Sequence, residues 1–478
     1  MVAGGTLPLP PPEGRGFPGT PPCNDLHRMT TFSPCPGPRI GDDGAMPRTP
    51  TTQATKLAIH GGTPAVDPNL TFHTWPAVDE QDEALVLASL RQPQHASGPH
   101  VRALAEEFAA WLGIEHCMPT NAGTSALHMC VAGVGVQAGD EVVTTALSWT
   151  SSATCIIHHN AIPVFVDVDW HAMHLDPAAV EAAITPRTRA ILVVHYWGVA
   201  CDMDAIMAIA KRHDLPVIED ACQAHGATCN GEKVGTIGHA ASFSLNQNKN
   251  LCGGEGGFFV THDDAIFDRG KALASFSDMR PPEAGRDYHT HGLGWMYRTT
   301  DLNAAFALSQ LRKLDATNAH ARENWHWIHD QLAAVPNLAR PFSTDERPTN
   351  GYAYVVRVEP SYAERRDVAL SDMTDAIVAA LKAEGLPLAR ARWLLPAHAV
   401  FRGKDAYGKG SPWTDGHAAG DVSYDLDQFP VAQRCVDTCL WNVNTHRPPN
   451  GPEQLEAFAT AVAKVFENLD DVPVPAAT

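Results

Sequence analysis

An α/β protein with a mostly parallel sheet, followed by a smaller α/β domain, is expected from three features of the 478-residue sequence. Short apolar runs alternate with helical stretches from Leu57 to about Leu332, and strands separated by crossover helices give a parallel sheet covered on both faces. Strand and helix signals resume, more sparsely, beyond residue 335. A hydrophobic content of 44% supports one large core and a second, smaller one.

The first 56 residues differ from the rest. Of the 37 prolines, 12 fall in the first 50 residues, with glycines between them, so residues 1–56 are expected to be a disordered Pro/Gly-rich tail. The tail has no continuous apolar run, which argues against a secretory leader, and Met29 and Met46 offer alternative starts. The large domain is expected over 57–332. Its strands are Val142–Leu147, Pro163–Val168, Ala190–His195, Pro216–Glu219, Ala241–Leu245 and Gly257–Thr261, with helices such as Pro177–Ile184 and Asp202–Arg212 between them. Thr299-Thr300-Asp301-Leu302 reads as a helix start, and a stripe of Leu302, Ala305, Phe306, Leu308 and Leu311 carries that helix to about Leu314. The smaller domain, 333–478, contains a strand at Ala353–Val358 and helices at Met373–Glu384 and Glu453–Glu467. Residues 398–425, rich in Gly, Asp and aromatics, read as an irregular loop.

Charge and composition exclude several functions. The net charge of −19, from 54 acidic and 35 basic residues, repels phosphate backbones, and no basic stripe interrupts it, so no nucleic-acid partner is expected. No run approaches the roughly 18 apolar residues of a membrane span. The 11 cysteines form no CxxC pair; Cys222 with Cys229 and Cys435 with Cys439 read as reduced core residues, with no metal site. The expectation is a cytoplasmic enzyme.

Three segments carry chemistry. In Asn121-Ala122-Gly123-Thr124-Ser125 a turn opens a helix, whose free N–H groups and hydroxyls can hold a phosphate; alone, this is more often a plain capped helix. Val217-Ile218-Glu219-Asp220 ends an apolar strand in two carboxylates at the sheet edge where ligands bind, and one of them can face a pyridine nitrogen; an Asp capping the next helix is an equal alternative. Lys249 stands between a β-rich run and the glycine cluster 253–257, where a lysine is placed for a Schiff base, although a solvated loop lysine is the commoner case. Their order within one sheet domain favours the functional reading.

The runs NAGTSAL, EDACQAHG, SFSLNQNKNLCGGEGG and GLGWMYRTTDLNAAFALSQL resemble the DegT/StrS-type aminotransferases, and LAIHGGTP at 57–64 resembles the opening of members that act on cyclitols. The resemblance spans about 57–470. It implies the aspartate-aminotransferase fold (fold type I), pyridoxal 5'-phosphate as cofactor, and amino transfer from L-glutamine or L-glutamate to a keto-cyclitol or keto-sugar in secondary-metabolite, including antibiotic, biosynthesis. It further implies that Lys249 is the Schiff-base lysine, Asp220 the acid at the pyridine nitrogen, and Gln223 the neighbour of the 3-hydroxyl. Ser244, Gly123, Thr124 and Ser125 would bind the phosphate, and Trp149 would stack on the ring. Relatives work as homodimers with shared active sites, and Arg298 in Trp295-Met296-Tyr297-Arg298 matches the loop that reaches the neighbouring subunit's phosphate. Here Met296 replaces that loop's usual Asn and cannot donate a hydrogen bond.

Alternatives stay open at this point. A nucleotide-linked keto-sugar acceptor would need cations, and Arg390, Arg392 and Arg402 are available. A sugar dehydratase of this family typically carries histidine where Lys249 stands; an aromatising step on a carbocycle and a non-catalytic sensor are the remaining readings. Of the 24 histidines most read as structural, with His195 at a strand end the one retained, and Glu255 reads equally as structural.

Overall fold

The computed structural model describes residues 56–276, 292–386, 388–391, 393–418 and 422–474. The expected tail, save Lys56, lies outside the described residues, as do Arg392 and residues 419–421 of the expected loop.

The strands run in chain order β1 His116–Thr120, β2 Glu141–Thr145, β3 Ile162–Val166, β4 Thr188–Val194, β5 Val217–Asp220, the small hairpin β6 Thr228–Cys229 and β7 Glu232–Lys233, β8 Ala240–Ser244 and β9 Gly257–Thr261. Seven form one sheet in the order β1-β9-β8-β5-β4-β2-β3. The pairs from β3 through β8 are parallel, whereas β9 runs antiparallel to both β8 and β1. Strand interiors alternate between two cores: Val142, Leu192 and Ile218 enter one, while Val143, Ile191, Val193 and Val217 enter the other. That period of two, with both faces apolar, is what buries a parallel sheet between helix layers. Observed strand ends differ from the sequence-based ones by at most two residues, and Gly257–Thr261 matches at both ends.

A second, antiparallel sheet follows: β10 Leu338–Ala339, β11 Tyr354–Val358, β12 Ala389–Arg390 and β13 Cys439–Asn442, in the order β10-β11-β13-β12. Its core joins Tyr354 and Val356 to Met373 and Ile377 of the Leu370–Ala383 helix and to Leu455 and Phe458 of the Pro452–Glu467 helix. Leu57 and Val66, from the start of the described chain, belong to this core as well. Buried Glu384 fastens that opening segment, accepting from the backbone N–H groups of Ala58 and Ala65 (both 2.8 Å) and from Lys464 Nζ (2.7 Å).

The helix expected to end near Leu314 runs from Asp301 to Gln331. Its buried face continues through Asn318, Ala321, Asn324, Trp325 and Ile328. Two asparagines interrupt the apolar stripe, and both amides are used in hydrogen bonds to backbone carbonyls, of His225 and His446. The described residues of the 398–425 stretch hold only short helical turns, yet Phe401, Trp413 and Tyr424 are buried. Trp413 Nε1 donates to Tyr424 Oη (2.9 Å), which donates to the carbonyl of Pro163 on β3 (2.8 Å). The aromatics of this segment thus cover an edge strand. No helix among the described residues is long and apolar enough to cross a membrane.

Asp301, at the start of the long helix, is fully buried. It accepts from Ser89 Oγ (2.7 Å) and from the His100 backbone N–H (2.9 Å), and its Oδ2 lies 2.6 Å from His100 Nδ1. Burial alone would raise its carboxyl, but the hydrogen bonds from Ser89 and His100 outweigh that and hold it below the ordinary value of 3.8. This contribution to stability is complete above pH 3.8 and is lost as pH falls through the lower, folded-state value. Asp301→Asn should cost about 2 kcal/mol in urea unfolding at pH 7, with the deficit shrinking in acid; equal midpoints at pH 7 would contradict this.

Candidate active site

The carboxyl edge of the sheet gathers the three segments singled out above. After β1 the chain turns into the Gly123–Gly133 helix, whose N-cap is Ala122 and which has no side-chain cap. Its first N–H groups are therefore left for another acceptor. Gly123 is required by close approach: a Cβ there would stand 2.9 Å from Ser244 Cβ and 3.0 Å from Cys222 Sγ. β5 delivers Asp220 and β8 delivers Ser244, with Lys249 five residues beyond. Together they line a cavity of about 340 Å³ with Thr124, Trp149 and Gln223.

Asp220 is 5% exposed. Its Oδ2 accepts from Ser152 Oγ (2.6 Å) and its Oδ1 from the Cys222 N–H (3.2 Å), with no Lys, Arg or His paired to it among the described residues. Ser152 is itself 2.7 Å from Ser148 Oγ, and Thr124 Oγ1 lies 2.7 Å from Ser151 Oγ. Hydroxyls from the Ser151–His158 helix thus serve both the acid and the turn at Gly123. Lys249 Nζ lies 3.3 Å from Tyr352 Oη. Gln223 Oε1 accepts the N–H of Trp197 (2.9 Å), a residue held in the left-handed region at φ 58° and ψ 17°. Non-glycine residues enter that region at a cost of about 1–3 kcal/mol and concentrate at functional sites. Burial pushes the Cys222 thiol well up, which keeps it protonated beside Asp220.

Two expected residues stand elsewhere. Ser125 does not line the cavity; its hydroxyl donates to Asn121 Oδ1 (2.7 Å) within the turn. Arg298 pairs by backbone with Thr120 and also stays out of this cavity, while Met296 is 48% exposed. Glu255 lines the cavity and accepts from Asn246 Nδ2 (2.9 Å). His195 is fully buried away from it: Nδ1 accepts the Cys201 N–H (3.0 Å), which leaves Nε2 to donate to Glu219 (2.9 Å). Glu219 also accepts three backbone N–H groups, from Gly235, Ile237 and Gly238, so this pair is structural.

Sequence reasoning missed Ser151, Ser152, Tyr352 and the tryptophans Trp197, Trp393 and Trp441, all of which line the cavity. The tryptophans form one cluster: Trp393 lies 5.1 Å from Trp441, 5.7 Å from Trp197 and 5.9 Å from Trp149, ring centre to ring centre. Two serines opening a helix just after Trp149 were a local signal; Tyr352 and Trp441 had none.

These residues fit pyridoxal 5'-phosphate. An uncapped helix start beside the Thr124 and Ser244 hydroxyls suits a phosphate dianion. A buried carboxylate lacking a cation suits a protonated ring nitrogen. The pattern that defines the DegT/DnrJ/EryC1/StrS aminotransferase family matches residues 76–394. The chain belongs to this family. This DegT/DnrJ/EryC1/StrS aminotransferase is 34% identical over 438 residues to the L-glutamine:2-deoxy-scyllo-inosose aminotransferase of Streptomyces fradiae, covering 87% of this chain and 99% of that protein. It is 36% identical over 351 residues to the enzyme of the same name from Streptoalloteichus tenebrarius, covering 70% and 80%. Among solved structures, 3-amino-5-hydroxybenzoic acid synthase superposes with a TM-score of 0.73 at 27% identity, covering 84% of this chain and 98% of that one.

Proposed function

We propose that this aminotransferase uses pyridoxal 5'-phosphate to move an amino group from L-glutamine to an unphosphorylated keto-cyclitol. The observation that carries the reading is the convergence of Lys249, Asp220 and the uncapped Gly123–Gly133 helix on one cavity. In the net reaction the donor's C–N bond is replaced by C=O, while the acceptor's C=O is replaced by C–N. The cofactor, when bound, supplies an aldehyde that condenses with amines and a ring that takes up the electron pair released at the α-carbon. The chain's residues do the rest. The helix N-terminus, Thr124 and Ser244 would hold the phosphate, Trp149 would offer a ring face at the mouth, and Gln223 would serve the 3-hydroxyl. Asp220, steadied by Ser152, keeps the proton on the ring nitrogen. Lys249 would be the amine available to the cofactor's aldehyde and, as a free amine, would carry the α-proton.

Two observations support a cyclitol over a nucleotide-linked sugar. Lys249 is the only Lys or Arg that the described residues of one chain bring to the cavity lining, where a diphosphate would call for more. Arg390 instead pairs with Asp375 (2.9 Å) and donates to the Ser371 carbonyl, and Arg402 stays outside the cavity. The tryptophan cluster suits a ring with equatorial hydroxyls, whose axial C–H bonds lie against aromatic faces. The relatives named above carry both L-glutamine and a cyclitol in their names. In this reading residues 57–332 hold the cofactor, and 333–478 complete the acceptor side through Tyr352, Trp393 and Trp441. The enzyme is a cytoplasmic homodimer in which Arg298, which does not line its own cavity, serves the neighbouring copy.

The test is an absorbance titration of the cofactor-loaded protein with L-glutamine and L-glutamate, followed by a keto-cyclitol or a nucleoside-diphosphate keto-sugar. Conversion of the resting band by L-glutamine, and its recovery on adding the keto-cyclitol, is the expected result. Recovery with the nucleotide sugar alone would overturn the acceptor, and a band that ignores every donor would overturn the reaction.

A further inference from the structure

Arg447 is fully buried, and among the described residues no carboxylate is paired with it. A guanidinium taken from water without a counter-charge costs several kcal/mol, so its retention calls for a reason. Burial pulls it down only to about 10, which leaves it charged at neutral pH. Its hydrogen bonds point to the reason. Nη1 donates to the carbonyl of Asn248 (2.9 Å), and Nη2 donates to Asn250 Oδ1 (2.8 Å) and to the carbonyl of Tyr352 (2.8 Å). Asn248 and Asn250 flank Lys249, and the hydroxyl of Tyr352 is the group 3.3 Å from the lysine's amine.

Neighbouring contacts stiffen the arrangement. The guanidinium carbon lies 5.0 Å from the Trp75 ring centre and 5.2 Å from that of Tyr352, so the cation is held between two aromatic groups. Trp75 Nε1 donates to the carbonyl of Lys249 itself (2.9 Å). Asn250 Nδ2 donates to Asn318 Oδ1 on the long helix (2.8 Å) and to the carbonyl of Asn350 (3.1 Å), and Asn350 Oδ1 accepts the Tyr352 N–H (2.8 Å). Segments at least 95 residues apart in the chain, 248–250, 350–352 and 447, thus meet on one cation.

We propose that Arg447 and Tyr352 are positioning residues for Lys249, the guanidinium locking the backbone beside the lysine to the backbone of the tyrosine so that the tyrosine hydroxyl holds the freed amine in place. This rests on the reading of Lys249 as the residue that joins the cofactor's aldehyde. A single guanidinium suits the task because its planar fork serves several carbonyls at fixed angles, which an ammonium cannot match. Tyr352 adds a hydroxyl at the end of a side chain that is itself buried.

The experiment follows capture of pyridoxal 5'-phosphate by the cofactor-free protein, read as the rate of absorbance change and as borohydride-fixed label on Lys249, together with kcat and KM of the loaded enzyme. Tyr352→Phe should slow capture and lower kcat by about tenfold each with KM for the donor little changed, because a misplaced reacting group costs rate before affinity. Arg447→Met should slow capture further, by about a hundredfold, with Arg447→Lys recovering part of it. Wild-type capture and kcat in Tyr352→Phe would overturn the proposal, as would an Arg447→Lys protein no better than Arg447→Met. Tyr352→Phe keeps the buried ring, so it decides the matter even where an Arg447 variant does not fold. Lys249→Ala separates the two ideas: label fixed elsewhere in that variant overturns the reading of the lysine, whereas loss of all label there with normal capture in Tyr352→Phe overturns only the positioning.

Discussion

Lys249→Ala should lower steady-state amino transfer by about 10⁴-fold or more while leaving the fold and the phosphate cradle in place. The lysine has two tasks in the proposed reaction, joining the aldehyde and moving the α-proton, and no second amine among the lining residues can take over. The Thr124 and Ser244 hydroxyls and the helix start at Gly123 are untouched by the change. The variant should therefore still bind the cofactor reversibly, removable by dialysis and without label after borohydride. Turnover within tenfold of wild type would remove Lys249 from the mechanism.

The second large effect belongs to Asp220. Asn in its place should lower kcat by roughly 10²–10³-fold, since the neutral amide cannot hold a proton on the ring nitrogen and the electrostatic stabilisation is lost. The same variant should behave differently in the cofactor-free state. There Asp220 is a buried carboxylate that accepts from the Ser152 hydroxyl and the Cys222 backbone N–H, with no Lys, Arg or His paired to it among the described residues. Removing an uncompensated buried charge does not weaken a fold. The urea midpoint of the cofactor-free variant should equal or exceed that of wild type. A drop in stability without a drop in kcat would make Asp220 a structural residue.

What the sequence made legible was local. Strand ends were readable because apolar runs stop where the carboxylates, glycines and hydroxyls begin, and this places Gly123, Asp220, Ser244 and Lys249 at one edge once the strands are parallel. The long helix was read short because Asn318 and Asn324 look like exposed positions, although their amides are consumed by buried carbonyls. Ser152 lies on a helix and escaped notice because its partner, Asp220, stands 68 residues away at the end of a strand. Tyr352, Trp393 and Trp441 depend on the second sheet's position over the cavity, which no spacing encodes. Ser125 shows what residue type beside a turn does not encode: its hydroxyl donates to Asn121 Oδ1 within the turn.

In the proposed reading, the helix that opens on Ala122 with no cap of its own ties cofactor content to thermal behaviour. An anion seated there acts as the missing cap, and any ligand that favours the folded form raises its apparent stability with concentration. A melting curve of this protein is therefore a statement about its buffer as well. Inorganic phosphate or sulfate in a purification would steady the empty enzyme and, by the same contact, compete with the cofactor during reconstitution.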